Sequence, residues 1–154
     1  MKSPEEVKSE FVREWLSKAN ADLLASRHLL KEESKLAFVS AFHAQQAVEK
    51  ALKALLVWHQ IEFPKTHDIR RLLDLLTSPE PELSKELDEA SSLTDYAIEH
   101  RYPADIPEPT VSQAKEAIEL AERVVNEVLS RLPSKFSDTS EESESWSLVQ
   151  SSDP

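Results

Sequence analysis

AFVSAFHAQQAVEKALKALLVWHQIEFPKTHDIRRLL, residues 37–73, is the stretch that decides the fold, because polar residues recur in it at helical spacing within an apolar run. At about 100° per residue, one side of this segment is a broad apolar arc of Phe38, Ala41, Phe42, Val48, Leu52, Leu55 and Leu56. A second side is a stripe of small residues, Ala44, Ala47, Ala51 and Ala54. A helix covered in this way has little surface left for water and is predicted to pack between other helices.

The chain contains no glycine in 154 residues. This favours helices, since hairpins, bulges and phosphate-binding loops depend on glycine. The Walker loop, the dinucleotide-binding fingerprint and the nucleophile elbow are therefore excluded. The length fits one domain, and a hydrophobic content of 40% is enough to fill one core. Cysteine is absent too, which excludes disulfides, thiolate metal sites and a cysteine nucleophile.

The formal net charge of −11 predicts that the chain does not bind nucleic acid or an anionic membrane over a broad surface, because long-range repulsion opposes polyanions. A small local basic site remains compatible with this charge. Residues 1–20 lack the apolar core of a signal peptide, and no apolar run reaches the roughly 20 residues that span a bilayer. We therefore expect a cytoplasmic protein without a membrane segment.

Neither a metal site nor a cofactor is predicted. No histidine lies three residues after a glutamate, which excludes the Glu-x-x-His pairs of di-iron bundles. A His-Glu-x-x-His helix is absent as well. The serines cluster near the carboxyl terminus and no elbow is available to present one, so a serine nucleophile is not predicted either.

Apolar spacing predicts five helical segments, at approximately 4–31, 36–60, 66–76, 82–100 and 111–132. The first and last are amphipathic partners for the apolar second helix. The predicted fold is all-α, an antiparallel up-and-down bundle of four to five helices over residues 1–132. Residues 133–154 are rich in serine and acid, with five acids against one lysine, and are predicted to form a disordered tail.

The remaining strip of the second helix carries His43, Gln46, Lys50 and Lys53, whose spacing puts them on one face. Two ammonium groups one turn apart repel unless an anion or an acid lies between them. One interpretation is a phosphate site, with both lysines as point charges and Gln46 and His43 as hydrogen-bond donors. The alternative is a solvated edge at which Glu49 pairs with Lys53.

Gln45 and Glu49 fall near the apolar arc, where burial costs a few kcal/mol unless hydrogen-bond partners are present. Arg101 or the hydroxyl of Tyr96 is a candidate partner. A structural role for this group is favoured over a catalytic acid.

The densest basic patch follows Pro64 and contains Lys65, His67, Arg70 and Arg71. His67 is predicted to lie in the first turn of the third helix, where backbone amides attract anions. In the alternative interpretation His67 caps or packs against the helix, and the arginines pair with Asp68 or Asp74.

Arg101 and Tyr102 precede Pro103 at the end of the fourth predicted helix. Their guanidinium and ring could receive a phosphate or a base. The alternative is that Arg101 and Tyr102 serve only to hold the end of the fourth helix in place.

Together these features resemble the HEPN family, the higher-eukaryote and prokaryote nucleotide-binding domain. The matching residues are Trp15 and Ala19, the segment AFHAQQAVEKALKALL at 41–56, Pro64 with Thr66-His67-Asp68, Leu72-Leu73, and Tyr96 followed by Arg101-Tyr102-Pro103. The resemblance covers residues 7–132 and implies a four- to five-helix up-and-down bundle, commonly a homodimer. It also implies pairing with a minimal nucleotidyltransferase, in a two-component or toxin–antitoxin system.

Many HEPN proteins are metal-independent ribonucleases. Their sequence signature is an arginine followed by a polar residue, a short spacer and a histidine. This chain departs from that pattern. Histidine does not occur at four to six spacer residues after any of Arg13, Arg27, Arg70, Arg71, Arg101, Arg123 and Arg131. The sequence therefore favours a non-hydrolytic module over an enzyme.

The predicted function is a non-hydrolytic HEPN module that binds a nucleotide, pairs with a minimal nucleotidyltransferase, or does both. One alternative is a divergent ribonuclease that uses Arg101 with a histidine from elsewhere, such as His100, His43 or a residue of a dimer partner. Another is a module whose only task is pairing. A homodimer is expected, because one compact bundle is not expected to cover both the apolar and the alanine faces of the second helix.

Overall fold

The computed structural model describes residues 1–32, 34–97 and 107–137, and every regular element in these ranges is helical. The α-helices are α1 (Pro4–Glu32), α2 (Ala37–Trp58), α3 (Ile69–Leu76), α4 (Pro81–Glu86) and α5 (Val111–Ser130). Short 3-10 helices cover Ser34–Leu36, Asp88–Tyr96 and Ser134–Phe136. The all-α helical bundle is thus confirmed, and the predicted bounds of the first, second and last helices agree with the observed ones within two residues.

Helix α2 lies at the centre and packs against α1, α5, α3 and the 3-10 helix at 88–96. Its alanine stripe, formed by Ala44, Ala47, Ala51 and Ala54, is completely buried within this one chain. Small side chains let neighbouring helices approach closely. The stripe is therefore used inside the bundle and offers no surface to a second copy, so the expected homodimer gains no support from it.

The prediction of one α-helix over residues 82–100 is wrong for 87–97. Helix α4 ends at Glu86, and the chain continues as a 3-10 helix. Serine hydroxyls compete for the backbone here, since Ser91 Oγ donates to the Asp88 carbonyl and Ser92 Oγ to the Glu89 carbonyl, each at 2.8 Å. Aspartate, serine and threonine are weak helix formers, so apolar spacing alone overestimates the helix. Residues 98–106 lie outside the described ranges.

The end of α2 shows how a chain without glycine closes a helix. Gln60 adopts φ of 57°, the left-handed conformation that glycine usually supplies after a helix. The Gln60 N–H donates to the Val57 carbonyl and the Ile61 N–H to the Leu56 carbonyl, both at 3.0 Å. These bonds form a Schellman motif that turns the chain toward α3.

Side chains cap the starts of α3 and α5. The Asp68 carboxylate accepts from the backbone N–H of Arg70 at 3.0 Å and precedes the first residue of α3. Thr110 and Gln113 form a capping box at α5, with bonds of 2.9 and 3.1 Å. His67 therefore lies ahead of the cap of α3, and not in its first turn as predicted.

The described bundle extends past residue 132, where the sequence placed the end of the domain. Phe136 is buried and meets Trp58 edge-on, with ring centroids 5.7 Å apart. Lys135 Nζ donates to Ser9 Oγ of α1 at 3.0 Å. Residues 133–137 are thus attached to the bundle, and the predicted disordered tail from 138 onward falls outside the described ranges.

Candidate functional site

The polar strip of α2 is flanked by two carboxylates, and each of them organises a separate hydrogen-bond network. The first is Asp22 of α1. Its Oδ1 lies 2.9 Å from His43 Nδ1, and its Oδ2 lies 2.5 Å from Lys50 Nζ. One side chain of α1 therefore bridges two side chains of α2 that stand two helical turns apart.

The second carboxylate is Glu49, which is almost fully buried. Its Oε1 accepts from Lys53 Nζ at 2.6 Å, and its Oε2 lies 3.0 Å from both His67 Nδ1 and Gln45 Nε2. Gln46 Nε2 donates to Gln45 Oε1 at 2.7 Å. The predicted burial of Gln45 and Glu49 is confirmed, and their partners come from α2 itself and from the segment before α3.

The hydrogen bonds around Glu49 determine its ionisation. Burial by itself would raise the pKa of this carboxyl, but hydrogen bonds from Lys53 and His67, the charge of Lys53 and a bond from Gln45 together hold the pKa below its usual value. Glu49 is therefore an anion at neutral pH. Glu49 pairs with Lys53, as in the alternative interpretation of the strip, but the pair is buried and does not form a solvated edge.

In both networks the histidine and lysine side chains are more exposed than the carboxylates that they contact. The side chains of His43, Lys50 and His67 are 24–28% exposed, whereas those of Asp22 and Glu49 are 13% and 3% exposed. A carboxylate can only accept, so Nδ1 of each histidine carries the shared proton and Nε2 points away from the acid. The face of α2 that remains accessible is thus lined by imidazole, amide and ammonium groups.

Lys53 differs from the other residues of the predicted strip. Its side chain is 10% exposed, and its ammonium lies 5.4 Å from the centre of the Trp15 ring and 5.8 Å from that of Phe63. These aromatic faces and Glu49 together enclose the charge. Lys53 therefore has little surface to offer a phosphate and acts as the partner that stabilises Glu49.

The predicted basic patch before and within α3 is only partly assembled. Lys65 and Arg71 are exposed, while His67 joins the Glu49 network. Arg70 lies 3.9 Å from Asp74, a partner that the alternative interpretation named, and it also pairs with Asp88, which that interpretation did not name. Only His67 of this patch reaches the α2 network.

Two of the predicted site residues, Arg101 and Tyr102, lie outside the described ranges. Tyr96 is half-buried and packs against the core. Within residues 1–32, 34–97 and 107–137, no three side chains are grouped as metal ligands. In the same ranges, no helix is both long enough and apolar enough to cross a bilayer.

Asp22 was missed by the sequence analysis, although a signal for it existed. It lies between Ala19 and Leu23, both buried residues of α1, so an acid stands at the edge of an apolar helix face. Such an acid needs a partner from a neighbouring helix. Naming the partners of Asp22 requires the register between α1 and α2, which the spacing of residues within one helix does not give.

Comparison with known proteins agrees with this architecture. The family model of the HEPN domain matches residues 12–132. The crystal structure of TT1696 from Thermus thermophilus is similar at 31% identity and a TM-score of 0.64, covering 79% of this chain and 98% of that one.

The crystal structure of ST0689, an archaeal HEPN homologue, is similar at 29% identity and a TM-score of 0.61. It covers 78% of this chain and 96% of that one. No relative is found among curated proteins. Because the family model spans most of the bundle, the chain belongs to the HEPN domain family.

Proposed function

We propose that this HEPN domain is a non-hydrolytic module that binds a nucleotide through the accessible face of α2 and the segment before α3. The phosphate groups would meet His43, Gln46, Lys50 and His67, which we call the donor face. The observation that carries this proposal is the layered arrangement of the site. The side chains of His43, Lys50 and His67 are partly exposed, and the carboxylates that they contact are less exposed than they are.

The layering favours an anion over a cation as ligand. Imidazole and ammonium groups donate hydrogen bonds to phosphate oxygens. The amide of Gln46 supports them from within, since its Nε2 donates to Gln45 Oε1 and Glu49 Oε2. Both oxygens of Asp22 and of Glu49 already accept hydrogen bonds from side chains of this site. They are therefore poorly placed to coordinate a cation. The bonds also fix the donors in place, which reduces the entropy lost on binding.

The charges predict weak binding. With neutral histidines, the charges of Asp22 and Glu49 cancel those of Lys50 and Lys53, and the whole chain carries −11. Affinity must then come from oriented donors more than from net charge. We expect a dissociation constant on the order of micromolar to millimolar.

The proposal includes the assembly that family membership suggests. The chain would act as a homodimer beside a minimal nucleotidyltransferase, in a two-component or toxin–antitoxin pair. The support for this part is the HEPN family match over residues 12–132. Sedimentation of the chain alone, and then mixed with a nucleotidyltransferase encoded by a neighbouring gene, tests it. A monomer that does not change its sedimentation in the mixture would contradict it.

Calorimetric titration with ATP tests the donor face. Lys50→Gln should weaken ATP binding about 10-fold or more, because it removes a charged hydrogen bond to phosphate. The matched control is Lys115→Gln, which removes an exposed lysine of α5 and should leave the affinity unchanged. Lys53→Ala is unsuitable, since it would leave the buried Glu49 without its cation. Absence of heat, or equal affinity in both variants, would contradict the proposal.

An RNA-cleavage assay tests the non-hydrolytic part. The purified chain should leave single-stranded RNA intact over the time in which an active ribonuclease degrades it. Cleavage that disappears in His43→Ala would instead establish an enzyme and overturn the proposal.

A further inference from the structure

An aromatic surface adjoins the donor face, and the proposed phosphate contacts leave it unused. Trp15 of α1 and Phe63 of the α2–α3 connection pack edge to face, with centroids 6.3 Å apart. Both rings are half-buried. They join the polar network directly, because Lys53 lies against both rings while it donates to Glu49.

Phe11 extends this surface along α1. It precedes Trp15 by four residues, so the two side chains are neighbours on the same helix face. Phe11 is 53% exposed, the largest exposure of any aromatic residue in the described part of the chain. With Trp15 four residues further on, Phe11 forms an aromatic patch on α1 that is larger than a single exposed side chain, and such a patch can receive another molecule.

The charges near the rings suit an electron-rich aromatic ligand. Lys18 and Lys53 place ammonium groups 5.6 and 5.4 Å from the centre of the Trp15 ring. Lys53 is enclosed by the rings and Glu49, so the exposed Lys18 is the cation of the two that can attract the π-system of a ligand. Every nucleotide base has a flat π-face, so each of the bases can stack on aromatic side chains.

The spacing along α1 matches a single ligand. Trp15 and Asp22 are seven residues apart, which is about 10 Å along a helix. Asp22 holds His43 and Lys50 of the donor face. A nucleoside triphosphate spans that length from its base to its terminal phosphate, whereas inorganic phosphate or a sugar phosphate does not.

We propose that Phe11 and Trp15 form the base subsite of the donor face, which makes the ligand a nucleoside triphosphate. This inference rests on the proposed function, since it assigns the other half of the same ligand. The base stacks on the aromatic rings, and the phosphates extend along α2 toward Lys50 and His43. A long nucleic acid is disfavoured by the charge of −11.

The test compares ATP with inorganic tripolyphosphate, which carries the phosphates without the base. Both are titrated calorimetrically into the full chain. We expect ATP to bind roughly 10-fold more tightly than tripolyphosphate, because stacking of the base on one aromatic subsite adds binding free energy of about that size. Phe11→Ala should remove most of this preference without harming the fold, because the residue is largely exposed.

Val7→Ala is the matched control, since Val7 is exposed on the same face of α1, four residues before Phe11. It should keep the preference for ATP. A second measurement follows the indole N–H signals of the tryptophans by nuclear magnetic resonance, with Trp15 assigned from Trp15→Phe. ATP should shift the Trp15 signal, and tripolyphosphate should not.

The outcomes separate the two proposals. Equal affinity for ATP and tripolyphosphate, or an unchanged preference in Phe11→Ala, would overturn the base subsite while leaving a phosphate-binding donor face in place. Absence of binding for both compounds would overturn the donor face and the base subsite together.

Discussion

His67 Nδ1 lies 3.0 Å from Glu49 Oε2, so a buried carboxylate of the central helix holds the segment that leads into α3. The same segment is held a second time, where Gln45 Nε2 approaches the His67 carbonyl at 3.4 Å. The network therefore has a structural role in joining α2 to the start of α3. It also fixes the orientation of His67, which the proposed donor face requires.

Glu49→Gln should lower the free energy of unfolding by about 3–5 kcal/mol, because it leaves the buried ammonium of Lys53 without its anion. Chemical denaturation measures the change. Glu119→Gln, at an exposed position of α5, is the control and should change stability by less than about 0.5 kcal/mol. A small effect of Glu49→Gln would show that Lys53 does not depend on this partner.

Combining Glu49→Gln with Lys53→Met should restore part of the stability lost by Glu49→Gln alone. Replacing both partners of a buried ion pair by groups of similar size is often neutral. The comparison is made in the same denaturation experiment. If the two losses simply add, the residues are not coupled.

Acidification should destabilise the chain through Glu49. Its pKa is lowered in the folded state, so its stabilising contribution is complete above the unfolded value and is lost as the pH falls below about 4.5. Denaturation midpoints measured from neutral pH downward should fall less steeply in Glu49→Gln than in the unsubstituted chain. Parallel curves for the two proteins would contradict this assignment.

Gln60→Gly should stabilise the chain by about 0.5–1 kcal/mol, because glycine adopts the left-handed conformation without the steric cost of a Cβ atom. Gln60→Ala keeps the Cβ atom and should give no such gain. Thermal unfolding of both variants is the measurement. A destabilised glycine variant would mean that the Gln60 side chain makes a contribution larger than the backbone strain.

Truncation should locate the end of the folded part. A chain that ends at Ser137 should keep full stability, whereas one that ends at Leu132 should lose about 3 kcal/mol, as expected for removing a buried phenylalanine. Phe136 packs on Trp58, so the fluorescence of Trp58 should change only in the shorter chain. Equal stability of the two truncated chains would place the end of the folded part at residue 132.

Apolar periodicity predicted the fold well because the buried face of each long helix is encoded within the helix itself. It failed at 87–97, where Ser91 and Ser92 bind the backbone and favour a tighter helix. It also gave no sign of the contact beyond α5, where Phe136 is buried against Trp58. A single buried residue shows no periodicity in the sequence.

The site was predicted less completely than the fold, for a physical reason. Helical spacing put His43, Gln46, Lys50 and Lys53 on one strip of α2, but it does not report what lies opposite that strip. Asp22 comes from α1 and pairs with His43 and Lys50. The rings that cover Lys53 come from α1 and the α2–α3 connection. Contacts between elements require the register of the folded bundle.

The most direct test of the donor face is a nuclear magnetic resonance titration of the labelled chain with ATP, observing backbone and side-chain nitrogen signals. We expect saturable shifts concentrated at His43, Gln46, Lys50 and His67, with the exposed side of α5 around Lys115 unchanged. Shifts spread evenly over the surface, or none at concentrations up to the millimolar range, would contradict the donor face.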